Sequence, residues 1–539
     1  MQIKAIFSVL LLQLPLNAET PVVAESSPVT ATASVVAPDF DYARSVLRVN
    51  STIQGWSLTQ PWEKADAFKR SAIGVLVGPG QILTTAQMAS DAVSITLEDV
   101  RGIESVTAEV AFVDPGVNLA LLKLKDPQQQ SFVENLEPVS VVEPLEIGST
   151  LKIVQMEDNG MALVSPGQIQ GVDIKSTFAP GESQLCYIVK ASLQSASSSY
   201  SIPAFKDEKL VGLLSSYDSE DQLSVFLTPE VTTAFLEDAA DGNYQGFPLL
   251  GIAARTLTDR NFRDFLQLPS EVSGGIYITR VRRGSSAEAA GLLEGDVITK
   301  VAGRELDYRG FYDDERYGRL FWTNIIKSKV PIGSELQLSA LRDGKPLEIT
   351  ANLGTRSSMR NLVPRHLIGR APNFVVKGGM IFQELSQPFL ENYGKDWRNN
   401  APLDLLAILE NPDDVPEDKQ SIVILTATIP TQVTIGYENV RSKIVEEVNG
   451  VQINHIGDLD RAFQSQVETH VIKLSGKPST LYLDAKGAAA IDEQLLQRGL
   501  PSLKRIEASK SEGPDDTASS QDLSDEARTQ ENGEDSSSE

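Results

Sequence analysis

The sequence predicts a multidomain protein with an all-β barrel or sandwich region followed by two α+β units. Between about residues 41 and 240, short apolar runs rich in β-branched residues are separated by Gly, Pro and Asp, which is typical of such strands. Beyond about Pro248 the pattern changes to mixed α and β, with one compact unit ending near Leu353 and another beginning near Lys377. A chain of 539 residues accommodates about three or four domains.

Composition and charge exclude several classes of function. The formal net charge of −25 repels a phosphate backbone, so we expect no nucleic-acid partner. Cys186 is the only cysteine, so no intrachain disulfide, zinc cluster or CxxC redox pair can be built from it. Its apolar neighbours Leu185 and Tyr187 predict a small buried side chain. We expect neither a cofactor nor a metal site.

The first residues have the pattern of an export signal. A basic residue precedes an apolar run from Ile6 to Leu16, and Ala18 is the small residue at which a signal peptidase would cut. The run is too short for a stable membrane anchor, and no later stretch is long enough to span a bilayer. A buried first helix is the alternative, which Pro15 disfavours. We expect a signal peptide at 1–18, a linker at 19–40 and a periplasmic or extracellular mature protein.

The carboxyl-terminal segment, residues 506–539, consists mainly of Glu, Asp, Ser, Gly and Gln. With almost no large apolar side chains, it cannot bury enough surface to offset the entropy cost of becoming ordered. We therefore expect a disordered acidic tail.

Three segments of the all-β region resemble HtrA/Deg-type serine proteases. The segment from Gly74 to Met88 is similar to the strand, turn and Ile-Leu-Thr run that lead to the family's catalytic histidine. The segment from Val113 to Lys123 is similar to the surroundings of the catalytic aspartate. Pro203-Ala204-Phe205, followed by Leu210 to Leu213, resembles the strand after the nucleophile loop. The resemblance implies a trypsin-like double β-barrel at 41–240.

The same resemblance indicates that the catalytic triad is missing. Gln87 stands at the position of the histidine, Asn118 at that of the aspartate and Tyr200 at that of the serine. An amide does not titrate usefully, so Gln87 cannot take a proton from a serine hydroxyl. Asn118 carries no charge that could stabilise an imidazolium. The three histidines lie beyond the barrel region, and they are His366, His455 and His470.

The serine-rich run at 195–201 leaves a second hypothesis open. Ser199 or Ser201 could serve as an unusual nucleophile with Lys190 or Lys206 as its base. The loop lacks the glycines that the family's oxyanion hole requires, so we favour a polar surface loop without catalytic activity.

The first α+β unit, at 246–355, resembles the PDZ domain of HtrA proteins. The resemblance rests on Gly274 to Val281 and on Gly284 to Ile298. It implies that backbone N–H groups bind a peptide's terminal carboxylate while the adjacent strand adds the peptide as a further strand. The alternative is that the glycine of the loop only makes a turn. The implied peptide-binding residues are Leu249, Leu250, Gly251 and Ile252.

The second unit, at 377–505, resembles the divergent second PDZ domain of plant-type Deg proteases, and a basic connector at 356–376 precedes it. The matching segments are Gly378–Leu390, Gly394–Trp397, Ile435–Glu438 and Ile444–Val451. The aromatic residues of this unit either form an interaction surface or lie in the core, and we favour the core. They are Phe382, Phe389, Tyr393 and Trp397.

The leading hypothesis is an exported pseudoprotease that binds peptides or unfolded proteins through PDZ domains, as a scaffold or in a chaperone-like role. The second is a serine endopeptidase with a non-standard nucleophile, and the third is a structural oligomer with vestigial grooves. The resemblance implies a homo-oligomer, or an assembly with catalytically active homologues.

Overall fold

The structure is a computed structural model that describes residues 42–157, 159–194, 200–269, 272, 274–329, 331–355 and 362–507. The expected signal peptide, the linker after it and nearly all of the expected acidic tail lie outside these residues. Among the described residues, no helix combines the length and the apolar character needed to cross a bilayer.

The first barrel consists of β1 (Val46–Ile53), β2 (Phe68–Gly78), β3 (Gln81–Thr84), α1 (Ala86–Ala89), β4 (Ala92–Glu98), β5 (Ser105–Asp114) and β6 (Leu119–Leu124). Its strands pair in the closed order β1-β2-β3-β6-β5-β4. Leu47 and Val49 of β1 point into the core, as expected from side chains that alternate along a strand. A Cβ at Gly74 would lie 2.5 Å from Ile82 Cγ2, so glycine is needed there for close packing.

The second barrel follows a short helix, α2 (Ser131–Glu134), and precedes a longer one, α3 (Pro229–Ala239). Its strands pair in the closed order β10-β11-β12-β9-β8-β7. Cys186 is fully buried in this barrel, and burial raises the pKa of its thiol to about 12. The strands are β7 (Thr150–Met156), β8 (Ala162–Ser176), β9 (Ser183–Lys190), β10 (Pro203–Lys206), β11 (Lys209–Asp218) and β12 (Leu223–Leu227).

The first α+β unit is built on one antiparallel sheet and a separate hairpin. Its elements are β13 (Ile252–Thr256), α4 (Arg260–Phe265), β14 (Ile276–Val281), α5 (Ser286–Ala289), β15 (Val297–Val301), β16 (Arg304–Glu305), β17 (Phe311–Asp314), β18 (Gly318–Phe321), α6 (Thr323–Lys329), β19 (Glu335–Arg342) and β20 (Lys345–Asn352). The sheet has the order β13-β14-β15-β19-β20, with β16 paired to β15, while β17 pairs with β18.

The hairpin β17–β18 and helix α6 dock this unit onto the second barrel. Tyr317 lies in the turn of the hairpin, with its hydroxyl 3.1 Å from the hydroxyl of Tyr187 on β9. The same hydroxyl donates to Glu230 of α3 at 2.6 Å. Lys327 of α6 donates to the carbonyl of Ser183 at 2.7 Å and lies 3.5 Å from the Glu182 carboxylate. These bonds fix the orientation of the unit on the barrel.

The second α+β unit contains a larger sheet. Its elements are β21 (Phe374–Lys377), β22 (Met380–Glu384), α7 (Gln387–Glu391), α8 (Trp397–Asn400), α9 (Leu403–Glu410), β23 (Val423–Thr428), β24 (Lys443–Val448), β25 (Val451–Gln452), α10 (Ile456–Phe463), β26 (Thr469–Leu474), β27 (Thr480–Asp484), α11 (Ala485–Gln497) and β28 (Lys504–Arg505). The sheet has the order β27-β26-β24-β23-β22-β21-β28, with β25 paired to β24. These architectures confirm the expected fold class of a double barrel followed by two α+β units.

The second unit extends into the stretch assigned to the connector. Leu362 and Val363 belong to one of its hydrophobic clusters, and β21 begins at Phe374, before the expected boundary at residue 377. The aromatic residues also take the core positions that we favoured, since Phe382 and Phe389 are buried while Tyr393 and Trp397 pack partly buried against the same cluster as Phe389.

The last described strand ties the second unit to the first barrel. Strand β28 pairs with β21, and the guanidinium of Arg505 lies 3.8 Å from the ring centre of Trp56, in the loop between β1 and β2. Arg505 also donates to the carbonyl of Pro61 at 2.9 Å. Nearby, Gln383 of β22 donates to the carbonyl of Leu58 at 3.0 Å.

The contact between Lys327 and Glu182 gives a test of the docking between the first α+β unit and the second barrel. The two side chains are only 13% and 11% exposed, so Lys327→Ala leaves a buried carboxylate without this cation. We expect the substitution to cost about 3 kcal/mol of stability and to speed proteolysis between residues 240 and 250. Urea unfolding and limited proteolysis would measure both effects.

Lys123→Ala is the matched control. Lys123 and Glu109 form an ion pair with side chains 56% and 45% exposed, and such a pair contributes at most about 1 kcal/mol. Equal losses of stability in the two variants would contradict the proposed role of Lys327.

Candidate functional site

The residues predicted to replace the triad meet between the two barrels. Gln87 lies on α1 and Asn118 in the turn between β5 and β6, and the backbone N–H of Gln87 donates to Asn118 Oδ1 at 3.3 Å. The hydroxyl of Thr85 donates to the carbonyl of Tyr200 at 2.9 Å, which holds Tyr200 beside the start of α1. Asn118 is buried with φ of 58°, a left-handed conformation that asparagine tolerates better than most residues.

A cation that the sequence analysis did not single out lies at the same place. Arg70 of β2 donates to the carbonyl of Gln87 at 2.5 Å, and its guanidinium lies 5.0 Å from the ring centre of Tyr200. It also lies 5.1 Å from the ring of Phe68. Arginine stacked on aromatic faces in this way is stabilised by cation–π attraction. Arg70 and Tyr200 therefore hold each other beside Gln87.

The described side chains gathered here are two neutral amides and a phenol, in place of the imidazole, carboxylate and serine hydroxyl of a serine protease. The Gln87 and Asn118 amides are not bases near neutral pH, and Tyr200 is not activated by an imidazole. Ser201 is fully buried, which keeps its hydroxyl from a substrate. Lys190 donates to the carbonyl of Asp221. Residues 195–199, including Ser199, lie outside the described part of the chain.

The segment between the two α+β units returns to the first barrel. The backbone N–H of Gly369 donates to Asp91 Oδ1 at 2.8 Å, and Asp91 lies just beyond α1. Burial raises the pKa of Asp91, while Gly369, Arg70 and His366 oppose that rise. His366 therefore lies close enough to act electrostatically on the barrel, although the sequence places it far downstream.

The predicted carboxylate-binding loop precedes β13. Leu249 donates to the carbonyl of Gly354 at 3.0 Å, and the carbonyl of Leu250 accepts from Ala287 at 2.9 Å. Gly251 has φ of +84°, a conformation that L side chains rarely adopt, so the loop requires glycine here. Within the described residues, the N–H groups of Leu250 and Gly251 donate no hydrogen bond to the protein.

The strand that follows this loop has an open edge. Strand β13 is the first strand of its sheet and pairs only with β14 among the described strands. After Ile252, which is partly buried, its residues are exposed. The unpaired edge and the two N–H groups of the loop are therefore available to an extended peptide.

The second α+β unit lacks an open edge at the corresponding place. The strand after its glycine pair, Gly378 and Gly379, is β22, which pairs with β23 on one side and β21 on the other. Strand β21 in turn contacts α10 and α11. Strand β21 thus occupies the edge of β22 to which a peptide would otherwise add.

The fold and these sites define a double β-barrel of the trypsin type joined to two PDZ domains. The model of the PDZ domain matches residues 250–308, and a second PDZ domain model matches residues 363–512. The first match covers the first part of the first α+β unit, and the second match covers the second unit.

Two plant proteases are similar to this chain over most of its length. The chain is 24% identical to Protease Do-like 2, chloroplastic, from Arabidopsis thaliana, over 78% of this chain and 68% of that protein. It is 21% identical to Protease Do-like 4, mitochondrial, from the same plant, over 80% of this chain and 78% of that protein. The homologues of this chain are Deg/HtrA proteases, which confirms the resemblance seen in the sequence.

Among solved structures, the HtrA-type protease AlgW with decapeptide is similar at 18% identity and a TM-score of 0.44. The match covers 58% of this chain and 96% of that chain.

Proposed function

We propose that this protein binds the carboxyl termini of peptides or unfolded proteins through its first PDZ domain and does not cleave them. The observation that carries the proposal is the open edge of β13 next to the unpartnered N–H groups of Leu250 and Gly251. A terminal carboxylate would accept from those N–H groups, and the peptide backbone would pair with β13. The kinship with Deg/HtrA proteases supports a role in peptide binding.

We propose that the two barrels form a pseudoprotease domain. Gln87, Asn118 and Tyr200 supply no base, no orienting carboxylate and no activated hydroxyl, and the stacked pair of Arg70 and Tyr200 lies beside Gln87. We therefore propose a scaffold or chaperone-like function. The amino-terminal signal pattern supports export of the mature protein.

The absence of proteolysis is the first prediction from this proposal. The mature protein should not degrade unfolded casein and should not react with a fluorophosphonate probe, because both require an activated serine. Gel analysis after prolonged incubation and in-gel fluorescence would measure this. Reproducible cleavage that disappears in Ser199→Ala or Ser201→Ala would overturn the pseudoprotease proposal and support the unusual nucleophile.

The second prediction concerns capture of a terminal carboxylate. Peptides with a free carboxyl terminus and an apolar last residue should bind the full chain at least about tenfold more tightly than their amidated forms, because amidation removes a charge-assisted acceptor. Gly251→Val should also weaken binding, since a β-branched residue resists the left-handed conformation of the loop. Fluorescence anisotropy would give the dissociation constants.

Gly171→Val is the control for that substitution. Gly171 lies in β8 next to a β-bulge, its φ is not in the left-handed region, and a Cβ there would meet no atom within 4 Å. This variant should bind peptides as the unmodified chain does. Equal affinity for free-acid and amidated peptides would contradict carboxylate capture.

The third prediction is self-association. We propose a homo-oligomer or an assembly with active homologues, supported by the family resemblance. Light scattering at micromolar concentration should give a mass above that of one chain. A monodisperse monomer would count against the proposal.

A further inference from the structure

Arg255 is an exposed cation on the open strand β13. Its guanidinium lies 4.2 Å from the ring centre of Phe262 on α4, and that ring packs edge-on against Tyr277 at 5.1 Å. Arg255 and Tyr277 are directly opposite each other in the pairing of β13 with β14. Arg255 is thus held by the ring of Phe262 on the α4 side of the sheet, next to the unpaired edge.

We propose that Arg255 makes the first PDZ domain prefer peptides with an acidic side chain at position −3, the third residue before the last. This inference rests on the proposed binding of carboxyl termini. It adds the chemical class of the ligand, which is a carboxyl-terminal segment with an apolar last residue and an aspartate or glutamate three positions earlier.

The position follows from the strand register. A peptide that adds antiparallel to β13, with its carboxylate at the N–H groups beside Gly251, places its last residue opposite Ile252. Each residue further back moves one step along β13, so positions −1, −2 and −3 lie opposite Ala253, Ala254 and Arg255. Directly opposite side chains have Cβ atoms about 4.5–5.5 Å apart and interact.

A β-bulge in this sheet does not disturb that count. The register shifts between Ala253 and Ala254, where β14 passes from Arg280 to Ile278. The extra residue, Thr279, therefore belongs to β14, and β13 keeps a regular alternation of side chains. Arg255 points to the same side as position −3 of the peptide.

Neighbouring arginines form hydrogen bonds within the protein. Arg280 donates to the carbonyl of Glu410 and to Asn411 in the second PDZ domain. Arg263 donates to the carbonyls of Leu257 and Thr258. Within the described residues, the contact recorded for Arg255 is the face of an aromatic ring, which leaves the edge of its guanidinium for a carboxylate.

Because of the net charge of the chain, the preference for an acidic residue must come from a short-range contact. At −25, the protein repels an acidic peptide at long range, so the gain must come from a direct pair at Arg255. An exposed opposite-charge pair across two strands strengthens binding by about two- to fivefold. The preference for an acidic residue should therefore depend on its position in the peptide.

The test uses the full chain and free-acid peptides that end in the same apolar residue and differ only at position −3. Glutamate there should bind about two- to fivefold more tightly than alanine, and lysine more weakly than alanine. Moving the glutamate to position −2 should abolish the gain. Arg255→Glu should reverse the order so that lysine binds best.

Lys345→Glu is the matched control, because Lys345 is exposed on β20 at the opposite end of the same sheet and the substitution changes the net charge equally. This variant should keep the preference for glutamate. Carboxylate-dependent binding with no difference at position −3, or a gain from glutamate at any position, would overturn the role of Arg255 while leaving the proposed function intact. If no free-acid peptide binds, the proposed function fails and this inference fails with it.

Discussion

The pairing of strand edges is the constraint on which the architecture depends. A strand with an unpaired edge exposes backbone N–H and C=O groups that need partners. The two barrels meet this need by closure, and the second PDZ domain meets it at β22 by adding β21. The first PDZ domain leaves one edge of β13 without a partner strand among the described residues, and the N–H groups of Leu250 and Gly251 donate to none of these residues. This open edge is where we propose that a peptide pairs.

Neutral side chains lie in the cleft between the two barrels. Two amides, Gln87 and Asn118, lie where the family resemblance puts an ionisable pair, so no charge has to be desolvated and compensated there. Such a site is less sensitive to pH than one whose bases must stay deprotonated. Arg70 brings a positive charge to this region, where it stacks on the rings of Phe68 and Tyr200 and also acts electrostatically on the Asp91 carboxyl.

The all-β region and the positions of several site residues could be predicted from the sequence because they depend on local residue patterns. Strand runs with turn residues between them gave the all-β region, and short motifs gave the positions of Gln87, Asn118 and Tyr200 as well as the loop at Gly251. The partners of these residues could not be predicted in the same way. Arg70 is far from Tyr200 along the chain, and no periodicity links them. Lys327 and Glu182 meet only because helix α6 packs against the second barrel.

The pairing of β28 with β21 has a consequence for synthesis. Strand β21 forms an inner part of the second PDZ sheet, but β28, its outer neighbour, is the last strand of the described chain. On a ribosome, β21 and the Trp56 loop of the first barrel leave the exit tunnel long before Arg505 is made. Until then, one edge of β21 lacks its neighbour and the ring of Trp56 lacks the guanidinium of Arg505, although Lys64 of the same loop lies 5.5 Å from the ring centre. The barrels can close during translation before β28 is made, whereas the second PDZ sheet and its attachment to the first barrel are completed only after β28 has been synthesised.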